Sequence, residues 1–342
     1  MFDDFFGNRA AVEALLQMIE RERIPQTILL AGPEGIGKAT LVRRFAARLL
    51  PQAGPIEQDD LSLPHNAGLI AEREKWPGER RVEAPLLFAS HPDFLTFPPD
   101  GPLRQISIQQ MRALKDRAPF RPMAGGRRVF LIDQVDRANE QAANSLLKTL
   151  EEPPEHLVLM LTAQNHYDLL PTIRSRAVPL HLARLSDDQM RAFALSRRLP
   201  DADRRLALAA GCPGLAVSVD LAAYELRREA MLALLESASG QTSFGDWARQ
   251  SERVASARSE KLETYLQVLC VLLEDLLHLR EGVAELRNPD IRARLEPLAR
   301  RVSFHWLKTA ADRTNELAGL LRRNIQKNIA LDALVLELRA GS

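Results

Sequence analysis

The 342-residue chain has little cysteine and few aromatics: only Cys212 and Cys270, and 5% Phe, Trp and Tyr. Two thiols cannot build a disulfide framework or a four-cysteine zinc site, so no zinc is expected. Net charge is nearly absent too, because 46 Lys and Arg face 45 Asp and Glu. That balance excludes a histone-like, broadly basic nucleic-acid binder, while a local basic face stays open. Only 7 of the 46 cations are lysine, a bias that reads as genomic base composition. No long uninterrupted apolar run occurs. The most apolar stretch, residues 262–279, contains Glu263, Gln267, Glu274, Asp275 and His278. It reads as a buried or half-buried helix rather than a membrane span. The opening residues carry Asp3 and Asp4 where a secretory leader would be basic, so the expected location is the cytoplasm.

The remaining composition, 46% hydrophobic and 27% charged, is that of a globular chain long enough for two domains or three. Helical spacing over 8–23 leads into the apolar run 27–31, a glycine loop, and helical spacing again over 38–50. Strand, glycine loop and helix open a parallel α/β unit. Residues 51–90 are rich in Pro, Gly and charge and read as an irregular excursion with one helix near 68–75. Strands are expected at 93–97, 127–133 and 157–161, with helices at 106–117 and 139–152, the latter stopped by Pro153-Pro154. Residues 172–182 close the unit. Beyond it strands disappear. Three short helices are expected over 186–225, broken at Pro200 and at Gly211-Cys212-Pro213-Gly214. Longer ones follow at 226–238, 243–256, 258–281, 289–300, 304–323 and 328–340. The expected parts are an α/β phosphate-loop domain with a parallel sheet (1–183), a small helical lid (184–225) and an all-α domain (226–342). There is no internal repeat.

Residues 32–40, GPEGIGKAT, match G-x-x-x-x-G-K between a strand and a helix. Glycines such as Gly32, Gly35 and Gly37 let backbone N–H groups converge on phosphate oxygens, the helix start adds its positive end, and Lys38 reaches the β- and γ-phosphates. ATP or ADP is therefore the expected ligand. One departure matters. The residue after the lysine is Ala39, where a Ser or Thr hydroxyl usually ligates Mg²⁺. Thr40 carries a hydroxyl but sits about 100° further around the helix. The strand ending in Asp133 offers a carboxylate for the metal. Gln134 follows it, and a neutral amide cannot act as a base. Asp136 is the only nearby substitute, at the wrong spacing.

Residues 144–154, NSLLKTLEEPP, are close to the A-N-A-L-L-K-T-L-E-E-P-P signature of bacterial clamp-loader subunits. Residues 172–176, TIRSR, resemble the T-I-x-S-R-C segment that follows it. With the phosphate loop, these motifs make residues 8–183 similar to the AAA+ subunits of the DNA polymerase III clamp loader. The helical remainder fits that family's lid and collar in length and type. Two kinds of subunit share the motifs: the gamma/tau ATPase motor, and delta-prime, which joins the ring with little or no hydrolysis. In AAA+ relatives a glutamate stands at the position of Gln134. The motor's lid carries an arginine in a G-S-x-R turn, where this chain has residues 211–214 without one. Ala39, Gln134 and that turn favour the delta-prime kind, from a lineage without the zinc cysteines. An active gamma/tau motor is the alternative, and a stand-alone phosphate-loop kinase a more distant one.

The resemblance implies that Arg176 acts in trans, on the γ-phosphate held by a neighbouring motor subunit. It also implies Thr162 as a possible sensor of the γ-phosphate, with Gln164 and Asn165 as alternatives. The implied partners are gamma/tau and delta subunits, the sliding clamp through the complex, and primer–template DNA without sequence reading. Arg112, Lys115, Arg117, Arg121, Arg127 and Arg128 are the candidates for a basic face. The leucine stripe Leu262, Leu266, Leu269, Leu273, Leu276 and Leu277 reads mostly as core, part of it open to packing on partner collars.

Overall fold

A computed structural model describes residue 2 and residues 5–257, 260–320 and 326–340. Asp3, Asp4 and the parts of the expected helices formed by 258–259 and 321–323 lie outside the described residues. The elements in chain order begin with α1 Arg9–Glu20, β1 Thr27–Ala31, α2 Lys38–Leu49, α3 Pro64–Arg73, α4 Gly78–Glu83, β2 Phe88–His91 and β3 Phe94–Phe97. Next come α5 Ile108–Arg117, β4 Arg128–Ile132, α6 Glu140–Glu151, β5 Leu157–Ala163, α7 Pro171–Arg174 and β6 Val178–His181. The helices α8 Asp187–Arg197, α9 Ala202–Ala209, α10 Pro213–Ser218 and α11 Leu221–Ala238 follow. The chain ends with α12 Phe244–Ser256, α13 Leu262–Arg280, α14 Arg292–Arg301, α15 Phe304–Gly319 and α16 Lys327–Ala340.

Two compact units form. The first holds residues 1–202 and 211–218, and the second 203–210 and 219–342. The expected lid segment is therefore shared between them. The expected boundary at 225/226 falls inside α11, because the Asp220 carboxylate caps that helix by accepting from Ala223 N at 3.0 Å and so sets its start at Leu221.

The first unit is built on a six-stranded sheet of order β2-β3-β4-β5-β1-β6. Every residue of β1, β4 and β5 is buried, which is why these strands read as unbroken apolar runs. The sheet is mixed rather than wholly parallel: β2 pairs antiparallel with β3, and the remaining pairs are parallel. The register sets Ala31 beside Ala163, Leu30 beside Thr162 and Ile132 beside Leu161. The residues after β1 and β4 and the end of β5 therefore meet at one carboxyl edge.

The 51–90 excursion is more ordered than its composition suggests. It contains a 3₁₀ turn over Gly54–Asp59 as well as α3, α4 and β2. Charge pairs accompany a small apolar cluster of Ile70, Leu86 and Phe88 there. Arg73 Nη2 meets Asp100 Oδ2 at 2.6 Å with both side chains buried, and Arg73 also donates to Ala84 O. Arg73 and Arg80 both lie over the Trp76 ring.

The second unit is all helical. Leu262, Leu266, Leu269, Leu273 and Leu276 are buried in its own core, with Leu277 partly buried against it. The stripe is thus occupied within the unit. Trp247, on α12, is fully buried, and its indole N–H donates to Asp332 at 2.7 Å. The loop between α13 and α14 is fixed by Asp275, which has no exposed surface. Its carboxylate accepts from Arg287 N, Asn288 N and Asn288 Nδ2 at 2.7, 3.0 and 2.8 Å. Among the described residues, no helix is long and apolar enough to cross a membrane. Asp275→Ala would leave those three donors without an acceptor and is expected to cost about 2–3 kcal/mol. Thermal unfolding of the purified variant checks this, and an unshifted transition would contradict it.

Candidate functional site

The glycine loop leaves β1 at Gly32, whose N–H donates to Ala163 O at 3.1 Å. A Cβ at Gly32 would stand 2.4 Å from Leu182 O, so no side chain fits there. Gly35 has φ +74° and packs on Leu215, where an added Cβ would lie 2.8 Å from the backbone N. The N–H of Gly214 donates to Gly35 O at 2.7 Å. A side chain at 214 would collide with that same oxygen, at 2.8 Å. The turn at 211–214 therefore sits directly on the loop, and glycine permits the approach. Lys38 starts α2 with its ammonium folded onto the loop, donating to Gly32 O and Pro33 O at 2.6 and 2.8 Å. Burial lowers its pKa, opposed by the negative charges of Asp133, Asp136 and Glu34.

A cleft of ≈ 270 Å³ opens over this loop, lined by Lys38, Ala39, Thr40, Asp133 and Gln134 among others. Thr40 thus reaches the cleft despite its offset. Its hydroxyl lies 3.5 Å from Arg43 Nη2. The sequence reading missed Arg43. Its buried guanidinium is held by Glu57 at 3.1 Å and by Asp60, both from the excursion, which brings Asp60 and Ser62 to the cleft wall. The signal was an Arg on the buried side of α2, but its partners lie in a segment without periodicity.

Asp133 follows β4, its N–H donating to Phe97 O at 3.0 Å. Thr162 donates its hydroxyl proton to Asp133 Oδ1 at 2.5 Å and accepts from Gln134 N at 2.8 Å. Burial pushes the Asp133 carboxyl up, opposed by the Thr162 hydrogen bond and by Lys38. The single hydroxyl proton of Thr162 is therefore engaged by its own chain. Gln134 adopts φ +56° at the start of a 3₁₀ turn. Asp136 is not among the cleft-lining residues and accepts from Gln164 N at 3.2 Å. Gln164 does line the cleft and donates to Glu34 at 3.3 Å. Asn165 caps the turn after β5, accepting from Tyr167 N.

Arg176 is not part of the cleft lining. It follows α7, whose Ile173 is buried, and its side chain is about one-third exposed. Nη1 donates to Thr172 O at 3.0 Å and to Ser175 Oγ at 3.4 Å, and Nη2 to Glu151 Oε1 at 3.0 Å. Of the expected basic face, Arg112, Lys115 and Arg121 are exposed. Arg128 is not available to it. Its side chain is buried, paired with Asp93 and donating to Arg117 O at 2.6 Å, because β4 begins there in mid-sheet.

Residues 80–186 match the family described as DNA polymerase III, delta subunit, and residues 224–339 match DNA polymerase III, delta subunit, C terminal. DNA polymerase III subunit delta' of Pseudomonas aeruginosa is 34% identical over 206 residues, 58% of this chain and 56% of that protein. The Escherichia coli subunit delta' is 29% identical over 218 residues, 63% of each chain. The Escherichia coli subunit tau is 28% identical over 190 residues, 56% of this chain and 26% of tau. The match spans less than two thirds of the length of either delta' relative. Thr162→Val keeps the shape of the strand end but strands Asp133 Oδ1 and Gln134 N. It is expected to lower the stability of the first unit by about 1–3 kcal/mol in denaturant titration, and an unchanged midpoint would contradict this role.

Proposed function

The chain is homologous to the delta-prime subunits of the DNA polymerase III clamp loader, and on that premise we propose that it completes a neighbour's ATPase site while hydrolysing little or no ATP itself. The observation that carries this reading is the pairing of a well-formed phosphate loop with Gln134 beside Asp133, where a hydrolase needs a carboxylate base. The first unit does the nucleotide work and presents Arg176. The second, helical unit assembles the chain with gamma/tau and delta subunits, which together handle the sliding clamp and primer–template DNA in the cytoplasm.

The cleft residues fit a Mg²⁺-bound ATP or ADP. Backbone N–H groups of the loop through Gly35 and Gly37 would take phosphate oxygens, and Lys38 would leave its two loop carbonyls to meet the β- and γ-phosphates. Asp133 would hold Mg²⁺, steadied by Thr162. A bound Mg²⁺ would neutralise phosphate charge. Ala39 offers no ligand, and Gln134 has no basic oxygen that could take a proton from water. Binding without turnover is the consequence. Thr162 serves here as a strut, with no free proton to report on a phosphate.

At the subunit boundary the proposed work of Arg176 is electrostatic. A guanidinium placed against a neighbour's γ-phosphate stabilises charge that develops on the transferred group, a contribution of about 10³–10⁵ in rate when supplied in trans. Replacing Arg176 with Ala, in a complex reconstituted with motor and delta subunits, is expected to slow the adjoining site about 10³-fold. Unchanged DNA-stimulated ATP hydrolysis would refute the assignment. Lys38→Ala is expected to weaken nucleotide binding to the isolated chain at least about tenfold by calorimetry. Equal affinity would mean that the loop holds no nucleotide.

A further inference from the structure

Glu151 closes α6, within the E-E-P-P run, and its side chain is half exposed. Its partner Arg176 lies 25 residues further on, past β5. Ion pairs between such exposed groups are commonly incidental. This one differs in its anchorage. On one side, Leu150 is 4% exposed and Thr149 7%, which fixes the end of α6. On the other, Ile173 is 1% exposed and Ala177 9%, which fixes the turn that bears Arg176. Leu150, Ile173 and Ala177 belong to the same hydrophobic core. The two ends of the ion pair are therefore held by one packed body, and neither backbone must be ordered to form it.

The guanidinium has five N–H donors. Both hydrogens of Nη1 are directed to Thr172 O and Ser175 Oγ, and one hydrogen of Nη2 to Glu151. The Nε–H and the second Nη2 hydrogen remain for a ligand. The Thr172 and Ser175 contacts are local, from the arginine's own turn. Among the described residues, Glu151 is the charged group that grips the guanidinium from a separate element. We infer that Glu151 is a positioning residue. It holds the otherwise rotamer-rich Arg176 side chain in one position between its own turn and the end of α6, with two donors left for a ligand, before a neighbouring subunit arrives. The ordering cost is then met on folding rather than during the neighbour's reaction.

This inference rests on the trans role proposed for Arg176, and the two can fail separately. The experiment is steady-state, DNA-stimulated ATP hydrolysis by the complex reconstituted with motor and delta subunits, with kcat and KM for ATP measured separately. Glu151→Ala is expected to lower kcat about three- to tenfold with KM unchanged, because the neighbour binds its nucleotide without this residue. In an Arg176→Ala background the same change is expected to cost nothing further. Glu151→Gln keeps an acceptor oxygen and the shape of the site, and is expected to retain more kcat than Glu151→Ala. It also serves if the Ala variant fails to fold. Glu152→Gln, one residue on, is expected to leave kcat unchanged. A wild-type or raised kcat for Glu151→Ala would overturn the inference, as would an equal loss in the Arg176→Ala background or in Glu152→Gln. If Arg176→Ala itself leaves kcat unchanged, the trans arginine is what fails.

Discussion

The hydroxyl of Thr162 joins two strand ends at once, donating to the Asp133 carboxylate and accepting from the backbone of Gln134. This contact exists because β5 lies between β1 and β4 in parallel register, which sets Thr162 beside Leu30 on one side and places Asp133 just beyond Ile132 on the other. The glycine loop, its lysine and the acidic strand end converge on one cleft for the same reason. Their chemistry is therefore a property of the sheet edge rather than of any single loop. Burial pushes the Asp133 carboxyl up, and the Thr162 hydrogen bond and the Lys38 charge oppose that shift.

Within that frame the chemistry is incomplete. Binding groups are present, whereas the position beside Asp133 holds the amide side chain of Gln134, whose backbone is left-handed. Arg176, by contrast, keeps donors to spare at an exposed rim outside the cleft. In the proposed account these facts belong together. A subunit that supplies charge stabilisation to a neighbour has no need of a base of its own. The turn at 211–214 follows the same logic, because Gly214 seats its backbone on Gly35 and leaves no side chain in the cleft.

Much of the architecture was legible because burial wrote it plainly. β1, β4 and β5 are buried throughout and read as apolar runs, and the leucine spacing of α13 reads as a core helix. The excursion was poorly legible, since much of its order comes from Arg43 with Glu57 and Asp60 and from Arg73 with Asp100, alongside a small apolar cluster of Ile70, Leu86 and Phe88. Such pairs leave no period in a sequence. β2 escaped notice for a related reason: it is a four-residue edge strand whose two central residues are exposed. At the site, the loop, Asp133 and Gln134 line one cleft, and Thr162, which the resemblance offered as a possible sensor, directs its hydroxyl proton to Asp133. Glu151 lay inside a recognised motif, and only the fold brings it to Arg176. Arg128, grouped with surface cations, is drawn inward by Asp93 at the start of a central strand.

The central claim is that this chain binds nucleotide at its own loop but contributes to hydrolysis only at a neighbour's. The most direct measurement is steady-state ATP turnover by the purified chain alone, set beside turnover by the assembled complex. The account predicts negligible release of phosphate from the isolated chain and DNA-stimulated release from the assembly. Robust turnover by the isolated chain would contradict it and would assign the chain to the motor kind of subunit.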